Sequence, residues 1–219
     1  MPDRERKEAL FAQFAAVGKV LGHPGRLELL DLLAQAPHSV EDLASAAGLR
    51  VSTCSGHLQA LHDAGLVRRR RSGKRVHYSL AGDDVAQLWE SVRRVAERHR
   101  PLTAVAGRAY LGPEEAEPVG TEELLTRVTD PRTVVVDVRP EPEFTAGHLE
   151  GALNIPLPEL EHRVGELRGH REVVVYCRGR YCALAHEAVR LLRARGISAR
   201  RAAEGALEWR ADGRPLTAS

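Results

Sequence analysis

The sequence predicts two domains of different class: a mainly α half, followed by an α/β half with a mostly parallel sheet. Three observations predict this. Up to about Ala109, apolar residues recur at spacings of three and four, the period of a helix face. From Val119 onward, β-branched runs alternate with helical stretches, the order of a parallel sheet crossed by helices. Charge divides at the same place: residues 1–110 carry 17 Lys and Arg against 12 Asp and Glu, and residues 111–219 carry 15 against 18. A basic half joined to an acidic half suggests modules with different partners. The expected boundaries are 1–110 for the first domain, 111–118 for a linker and 119–219 for the second.

Apolar content of 43% and charged content of 28% describe an ordinary soluble protein. The apolar runs are too short to span a bilayer. The opening residues Met1-Pro2-Asp3-Arg4-Glu5-Arg6-Lys7 have no apolar core of the signal-peptide kind. A cytoplasmic protein with no membrane partner is expected. Three cysteines suit a reducing compartment rather than a disulfide framework. No C-x-x-C pair or Cys/His cluster suggests a metal, and no cofactor is expected.

In the first half, Leu10, Phe14, Val17 and Leu21 mark one buried helix face, broken at Gly22-His23-Pro24-Gly25. Leu27, Leu29, Leu30, Leu32 and Leu33 make a second apolar helix ending near Pro37. Ser39-Val40-Glu41-Asp42 reads as an N-cap with an acidic first turn, and Gly48 as a tight turn. The next helix, about Val51 to Ala64, places Val51, Cys54, Leu58 and Leu61 on one face. Ser52, Thr53, Gly56, Gln59 and Asp63 point away from it. A short helix, a Gly turn and a second helix with small polar residues outward is a helix-turn-helix pattern. Gly56 costs about 1 kcal/mol relative to Ala in a helix, and would let backbone approach DNA. Two short strands around Ser72-Gly73 then make a hairpin. Seven Lys or Arg and one acidic residue fall between Arg50 and Arg75, so the hairpin reads as a wing on phosphate. The expected DNA contacts are Arg50, Ser52, Thr53, Ser55, Gly56, His57 and Gln59 on the helix, and Arg68, Arg70, Arg71, Lys74 and Arg75 on the wing.

The motifs His23-Pro24-Gly25-Arg26-Leu27, Asp42-Leu43-Ala44, Ser52 through Leu58, Ala64-Gly65-Leu66-Val67 and Gly73 through Tyr78 resemble the ArsR/SmtB family of winged-helix repressors. The resemblance covers about Phe14 to His99. It implies a homodimer, paired through its first and last helices, on an inverted-repeat operator in double-stranded DNA. A long helix from Asp84 to about Ala109 would be the closing dimer element. Where metal-sensing members carry Cys-Val-Cys, this chain has Ser39-Val40-Glu41, so their metal sites are not expected here. Cys54, on the core face, reads as a small buried residue.

Arg100-Pro101 and Gly112-Pro113-Glu114-Glu115-Ala116-Glu117-Pro118 mark the joint. Beyond it, Thr121 caps a short helix to about Val128, and Thr133–Val138 is a buried parallel strand. A helical patch lies near Glu141–Thr145, a short strand at Gly151–Pro156 and a helix at Pro158–Leu167. Strand Val173–Tyr176 runs into Cys177-Arg178-Gly179-Arg180-Tyr181-Cys182, followed by helix Ala183–Arg195, a last strand Ile197–Arg201 and a short helix Leu207–Ala211.

A strand end feeding a helix N-terminus is where α/β domains bind ligands, and its free N–H groups favour an anion. A thiol there beside Arg178 and Arg180 is expected to have a lowered pKa, which makes Cys177 the candidate nucleophile. Gly179 is expected to supply a backbone conformation that other residues resist. Arg178 and Arg180 would draw an anionic donor to the thiolate, and Asp137 and Arg139 would brace the loop through a salt bridge. Cys182 would either resolve a modified Cys177 or cap the helix start.

The segments Asp137-Val138-Arg139, Glu143-Phe144, Gly147 through Pro156, Tyr176-Cys177-Arg178-Gly179 and Glu208-Trp209 resemble the rhodanese (sulfurtransferase) family. The resemblance implies that Cys177 takes sulfane sulfur from a small donor such as thiosulfate or polysulfide and becomes a persulfide. It implies that Arg178, Gly179, Arg180, Tyr181 and Cys182 line the substrate. The six-residue span from Cys177 to Cys182 is associated with sulfur substrates. The combined expectation is a DNA-binding regulator whose affinity is tuned by sulfur on Cys177. One alternative is a sulfurtransferase that its first half only dimerises or localises. Another is a thiol sensor of arsenic oxyanion or oxidant.

Overall fold

Local capping and burial set the first elements. The computed structural model describes residues 3–73, 75–128 and 130–218, which fall into two units, Met1–Trp89 and Glu90–Ser219. The first unit starts with helices α1 (Arg4–Leu21) and α2 (Pro24–Leu33) and a two-residue strand β1 (His38–Ser39). Helices α3 (Val40–Ala46) and α4 (Val51–Asp63) follow, then strands β2 (Val67–Ser72) and β3 (Arg75–Leu80) and the start of helix α5 (Asp83–His99). Ser39 caps α3, its Oγ accepting from Asp42 N–H at 3.1 Å. The turn into α4 uses Gly48 at φ +62°, a left-handed conformation that suits glycine.

Leu29, Leu30, Leu43, Cys54, Leu58, Leu61 and Tyr78 form the core of this unit. The three strands order as β1-β3-β2, all antiparallel, so β1 adds a strand to the expected hairpin. Two expected core positions on α1 and one on α4 lie outside it. Leu10 and Phe14 are 53% and 60% exposed, and Val51 is 50% exposed. Helical period records which residues share a face; it does not say whether another element covers that face. In this unit the core reaches only the last turns of α1, at Val17, Val20 and Leu21.

The second unit holds the rest of α5, then α6 (Pro101–Leu111), α7 (Thr121–Val128), β4 (Thr133–Asp137), α8 (Glu141–Ala146) and β5 (Leu153–Asn154). After these come α9 (Leu157–Arg163), β6 (Glu172–Tyr176), α10 (Ala183–Ala194), β7 (Ala199–Arg201) and α11 (Ala206–Ala211). The strands order as β5-β4-β6-β7, every pair parallel. Alternation along the buried strands builds a core on each face. Val173, Val175 and Cys177 pack with Ala185, Ala188 and Leu192 of α10, while Val135, Val174 and Tyr176 pack with Leu124 and Trp209.

The single long helix expected from Asp84 to about Ala109 is two helices. Arg100 is extended (φ −123°, ψ 93°) and Pro101 starts α6. A proline disfavours α conformation in the residue before it, yet suits the first turn of a new helix. Residues 90–110 fall in the second unit, not in the first as the expected boundary had them. Residues 111–118 are also tied to that unit: Arg190 donates to Leu111 O at 3.3 Å, Arg200 Nε to Glu117 O at 2.8 Å, and Arg201 pairs with Glu114 at 2.5 Å. Among the described residues no helix is long and apolar enough to cross a membrane.

Candidate functional site

In the first unit, Arg50 precedes α4, and Arg50, Ser52, Thr53, Ser55, Gly56 and Gln59 are all exposed. Gly56 has open space where a Cβ would stand. Gln59 is occupied locally, donating to Asp63 at 2.6 Å. His57 faces inward: it is half-buried and its ring lies 4.3 Å from that of His23. Burial, with the neighbouring His23 and Arg26, holds its pKa below the ordinary value. Arg68, Arg69, Arg70, Arg71 and Arg75 line an exposed ribbon, with Ser72 opposite Arg75. Lys74, expected on the wing, lies outside the described residues. Cys54 is fully buried, its Sγ 3.7 Å from Val40 O, and burial pushes its thiol up to about 11.

In the second unit, β6 delivers Cys177 at its carboxyl end, and Cys182 stands at the N-cap of α10. Cys177 is 2% exposed. Its Sγ lies 3.6 Å from Cys182 O and 3.9 Å from Gly179 O. Burial, then the neighbouring Cys182, raises Cys177 well above the ordinary thiol range, and the N–H groups of Gly179 and Ala185 only partly offset this. The expectation of a lowered pKa at Cys177 is therefore corrected. The lowered thiol is Cys182. The neighbouring Cys177 outweighs its burial, and the Arg178 charge and the N–H groups of Arg178 and Leu184 add to it.

The arginines of the loop are turned to carboxylates. Arg178 grips buried Glu143, Nη2 at 2.6 Å and Nε at 2.9 Å. Arg180 pairs with Glu97 at 2.9 Å, Glu90 at 3.1 Å and Glu208 at 3.2 Å. Arg93 adds a 3.0 Å bond to Glu208, and its guanidinium lies 5.4 Å over the Tyr181 ring. Tyr181 lies where a Cβ on Gly107 of α6 would stand. Beneath the loop, Asp137 and Arg139 form a fully buried pair at 2.6 Å. Arg139 also donates to Gly147 O at 2.8 Å, and the Asn154 amide bonds the carbonyls of Asp137 and Arg139, each at 3.0 Å.

Several supports have no expectation behind them. Ala206 and Leu207 N–H donate to Cys177 O and Arg178 O at 3.0 and 2.8 Å, so the start of α11 pins the loop. Glu208 accepts from Gly205 N–H at 2.8 Å and Arg180 N–H at 3.1 Å. Burial raises the Glu208 pKa, but Arg93, those two N–H groups and the Arg180 charge outweigh it and hold the carboxyl below its ordinary value. The stability it contributes is therefore present above that ordinary value and is lost as pH falls through the depressed one. Gly179 is not in a left-handed conformation. Its lack of a side chain makes room instead, because a Cβ would stand 3.1 Å from the Glu208 carboxylate and 3.2 Å from Arg93. The available signals were the spacing of Glu90, Arg93 and Glu97 on one helix stripe, and Glu208 three residues after Gly205.

Residues 23–69 match the model of the bacterial regulatory protein, arsR family. Residues 120–212 match the rhodanese-like domain. The HTH-type transcriptional regulator Rv0324 of Mycobacterium tuberculosis is 47% identical over 213 residues, covering 97% of this chain and 93% of that protein. A biofilm growth-associated repressor of Agrobacterium fabrum is 40% identical over 80 residues, covering 36% of this chain and 68% of that one. Among solved structures, the homodimeric winged helix-turn-helix DNA-binding domain of Mb0332 from Mycobacterium bovis is 47% identical. It covers 46% of this chain and 93% of that one, at a TM-score of 0.43.

Proposed function

Because the chain belongs to the ArsR family of HTH-type transcriptional regulators and carries a rhodanese-like domain, we propose that sulfur on Cys177 sets its affinity for operator DNA. The protein acts as a homodimer on an inverted repeat, with α4 in the major groove and the β2–β3 ribbon on phosphate. Cys177, as thiolate, attacks the outer sulfur of thiosulfate. The S–S bond breaks, sulfite leaves with the bonding pair, and Cys177 is left as a persulfide anion. The Cys182 thiolate would take the Cys177 proton first. The N–H groups of Gly179 and Ala185 favour the charged form of Cys177 and would stabilise its negative charge.

One observation carries the regulatory reading. Arg180, three residues past Cys177, is held by Glu90 and Glu97 of α5, an unbroken helix that begins at Asp83, six residues before the unit boundary at Trp89. A change in the loop therefore acts on a helix shared with the DNA-binding half. Two sites count as coupled only when a ligand at one changes affinity at the other.

The test measures operator affinity before and after treatment with thiosulfate or polysulfide, with mass spectrometry on Cys177. Wild type is expected to load one sulfur and shift affinity about tenfold, within the usual range of such coupling. Cys177→Ser is expected neither to load nor to shift. Arg180→Gln is expected to load without the shift. Loading with identical affinity in wild type would leave an enzyme that its first half merely dimerises or places, and no loading would remove the sulfur reading altogether.

The wing has its own test. Replacing Arg70 and Arg71 with alanine is expected to lower the slope of log affinity against log salt by about 1 for each phosphate that is no longer neutralised. An unchanged slope would take the ribbon off the phosphates.

A further inference from the structure

We propose that Cys182 is a resolving thiol, which converts the Cys177 persulfide into an intramolecular disulfide and expels the extra sulfur as hydrosulfide. This deepens the function proposed above and rests on sulfur reaching Cys177. The geometry supporting it is local. Cys177 and Cys182 are the two ends of one six-residue loop, and the Cys177 sulfur lies 3.6 Å from the Cys182 carbonyl. Both side chains pack against the same apolar cluster between the sheet and α10. Cys182 is the more accessible of the two. Cys54 belongs to the other unit and is fully buried in its core.

The step balances without an added oxidant. Once protonated on its outer sulfur, the persulfide is Cys177–S–SH. The Cys182 thiolate attacks the inner sulfur, the S–S bond to the outer atom breaks, and HS⁻ leaves with the electron pair. Two thiols have been oxidised to a disulfide, and one sulfane sulfur has been reduced to sulfide. Attack on the inner sulfur depends on a close, thiolate-rich partner, and a thiol at a helix N-terminus beside Arg178 meets that need.

The consequence for the site is mechanical. A bond joining both ends of the loop fixes Arg178 through Tyr181 in a closed ring, and the hold of Arg180 on Glu90, Glu97 and Glu208 must change with it. The regulatory signal would then be the disulfide, and the persulfide a short-lived intermediate on the way to it.

The experiment treats the reduced full-length protein with a single equivalent of thiosulfate or inorganic polysulfide. Intact mass is read without reductant, and released sulfide is assayed in parallel. Wild type is expected to lose two hydrogens and release one equivalent of sulfide, with peptide mapping joining Cys177 to Cys182. Cys182→Ser is expected to hold one added sulfur on Cys177 and release none, while Cys177→Ser does neither. A wild type that keeps its added sulfur and releases no sulfide overturns the resolving role while leaving Cys177 as the sulfur acceptor. A disulfide mapping to Cys54 overturns the assignment to Cys182. A Cys182→Ser protein that takes up no sulfur, while wild type forms the disulfide and releases sulfide, overturns the sequence of persulfide first and disulfide second. No uptake by either overturns both this inference and the function it rests on.

Discussion

Asp137→Ala is expected to lower the stability of the second unit by about 3–5 kcal/mol, the cost of leaving a buried charge without its partner. Both side chains of the Asp137–Arg139 pair are 0% exposed, and Arg139 is held by Asp137 through Nε and Nη2 and through its own N–H. Truncation removes that carboxylate from a guanidinium that stays buried against the Gly147 carbonyl. The loop above depends on the same residues, because Asn154 ties the carbonyls of Asp137 and Arg139 to the neighbouring strand. The measurement is urea unfolding followed by Trp209, in a Trp89→Phe background because the chain has two tryptophans. With two units, the transition of the second must be resolved separately, since a single midpoint has no clear meaning. Pairing Asp137→Leu with Arg139→Met is expected to recover much of the loss, because an apolar replacement of a buried pair is often neutral or stabilising. An unchanged midpoint in Asp137→Ala would mean that the pair contributes nothing net.

Gly205→Ala is expected to abolish sulfur uptake at Cys177 and to destabilise the second unit by about 1–3 kcal/mol, the usual cost of overpacking. A Cβ at this position would stand closer than 3.0 Å to Cys177 O, Gly179 N and Gly179 Cα. All three are backbone atoms, so no side chain can swing aside to make room. Relief requires moving the loop away from α11, which breaks the bonds from Ala206 and Leu207 to the carbonyls of Cys177 and Arg178. Gly165→Ala is the control: nothing lies within 4 Å of a Cβ there, and a change within about 0.5 kcal/mol is expected. Sulfur uptake by Gly205→Ala at the wild-type level would show that the loop tolerates the displacement.

These two sites show what the sequence makes legible. Asp137 and Arg139 stand at the end of a Val-rich run, so the strand and its terminal charges can be read in order. The same holds for Val173–Tyr176 entering the cysteine loop, because a strand buried on both faces is apolar throughout. Gly205 gives no such signal. Its backbone is extended (φ −124°, ψ −163°), so no turn demands glycine there; the demand comes from another segment's backbone some 26 to 28 residues earlier in the chain.

The partners of Arg180 are hidden for a similar reason. Glu90 and Glu97 precede it by 90 and 83 residues. Two arginines beside a thiol suggested a lowered pKa and an open anion site; with the guanidiniums turned to Glu143 and to Glu90, Glu97 and Glu208, burial dominates at Cys177. The break at Pro101 was visible in the sequence but not its result, since a proline can end one helix and open the next in a single step.

The wing arginines and the Arg180 cluster occupy opposite dielectric settings. Arg68 through Arg71 are exposed, so mobile ions compete directly for the phosphates they would touch. Glu90 and Glu208 are each 2% exposed, where ionic atmosphere penetrates little. The strength with which the protein grips DNA therefore answers to the salt of its surroundings. If loop chemistry alters that grip as proposed, the factor by which it does so would be set inside the fold, and would stay nearly constant while the grip itself rises and falls.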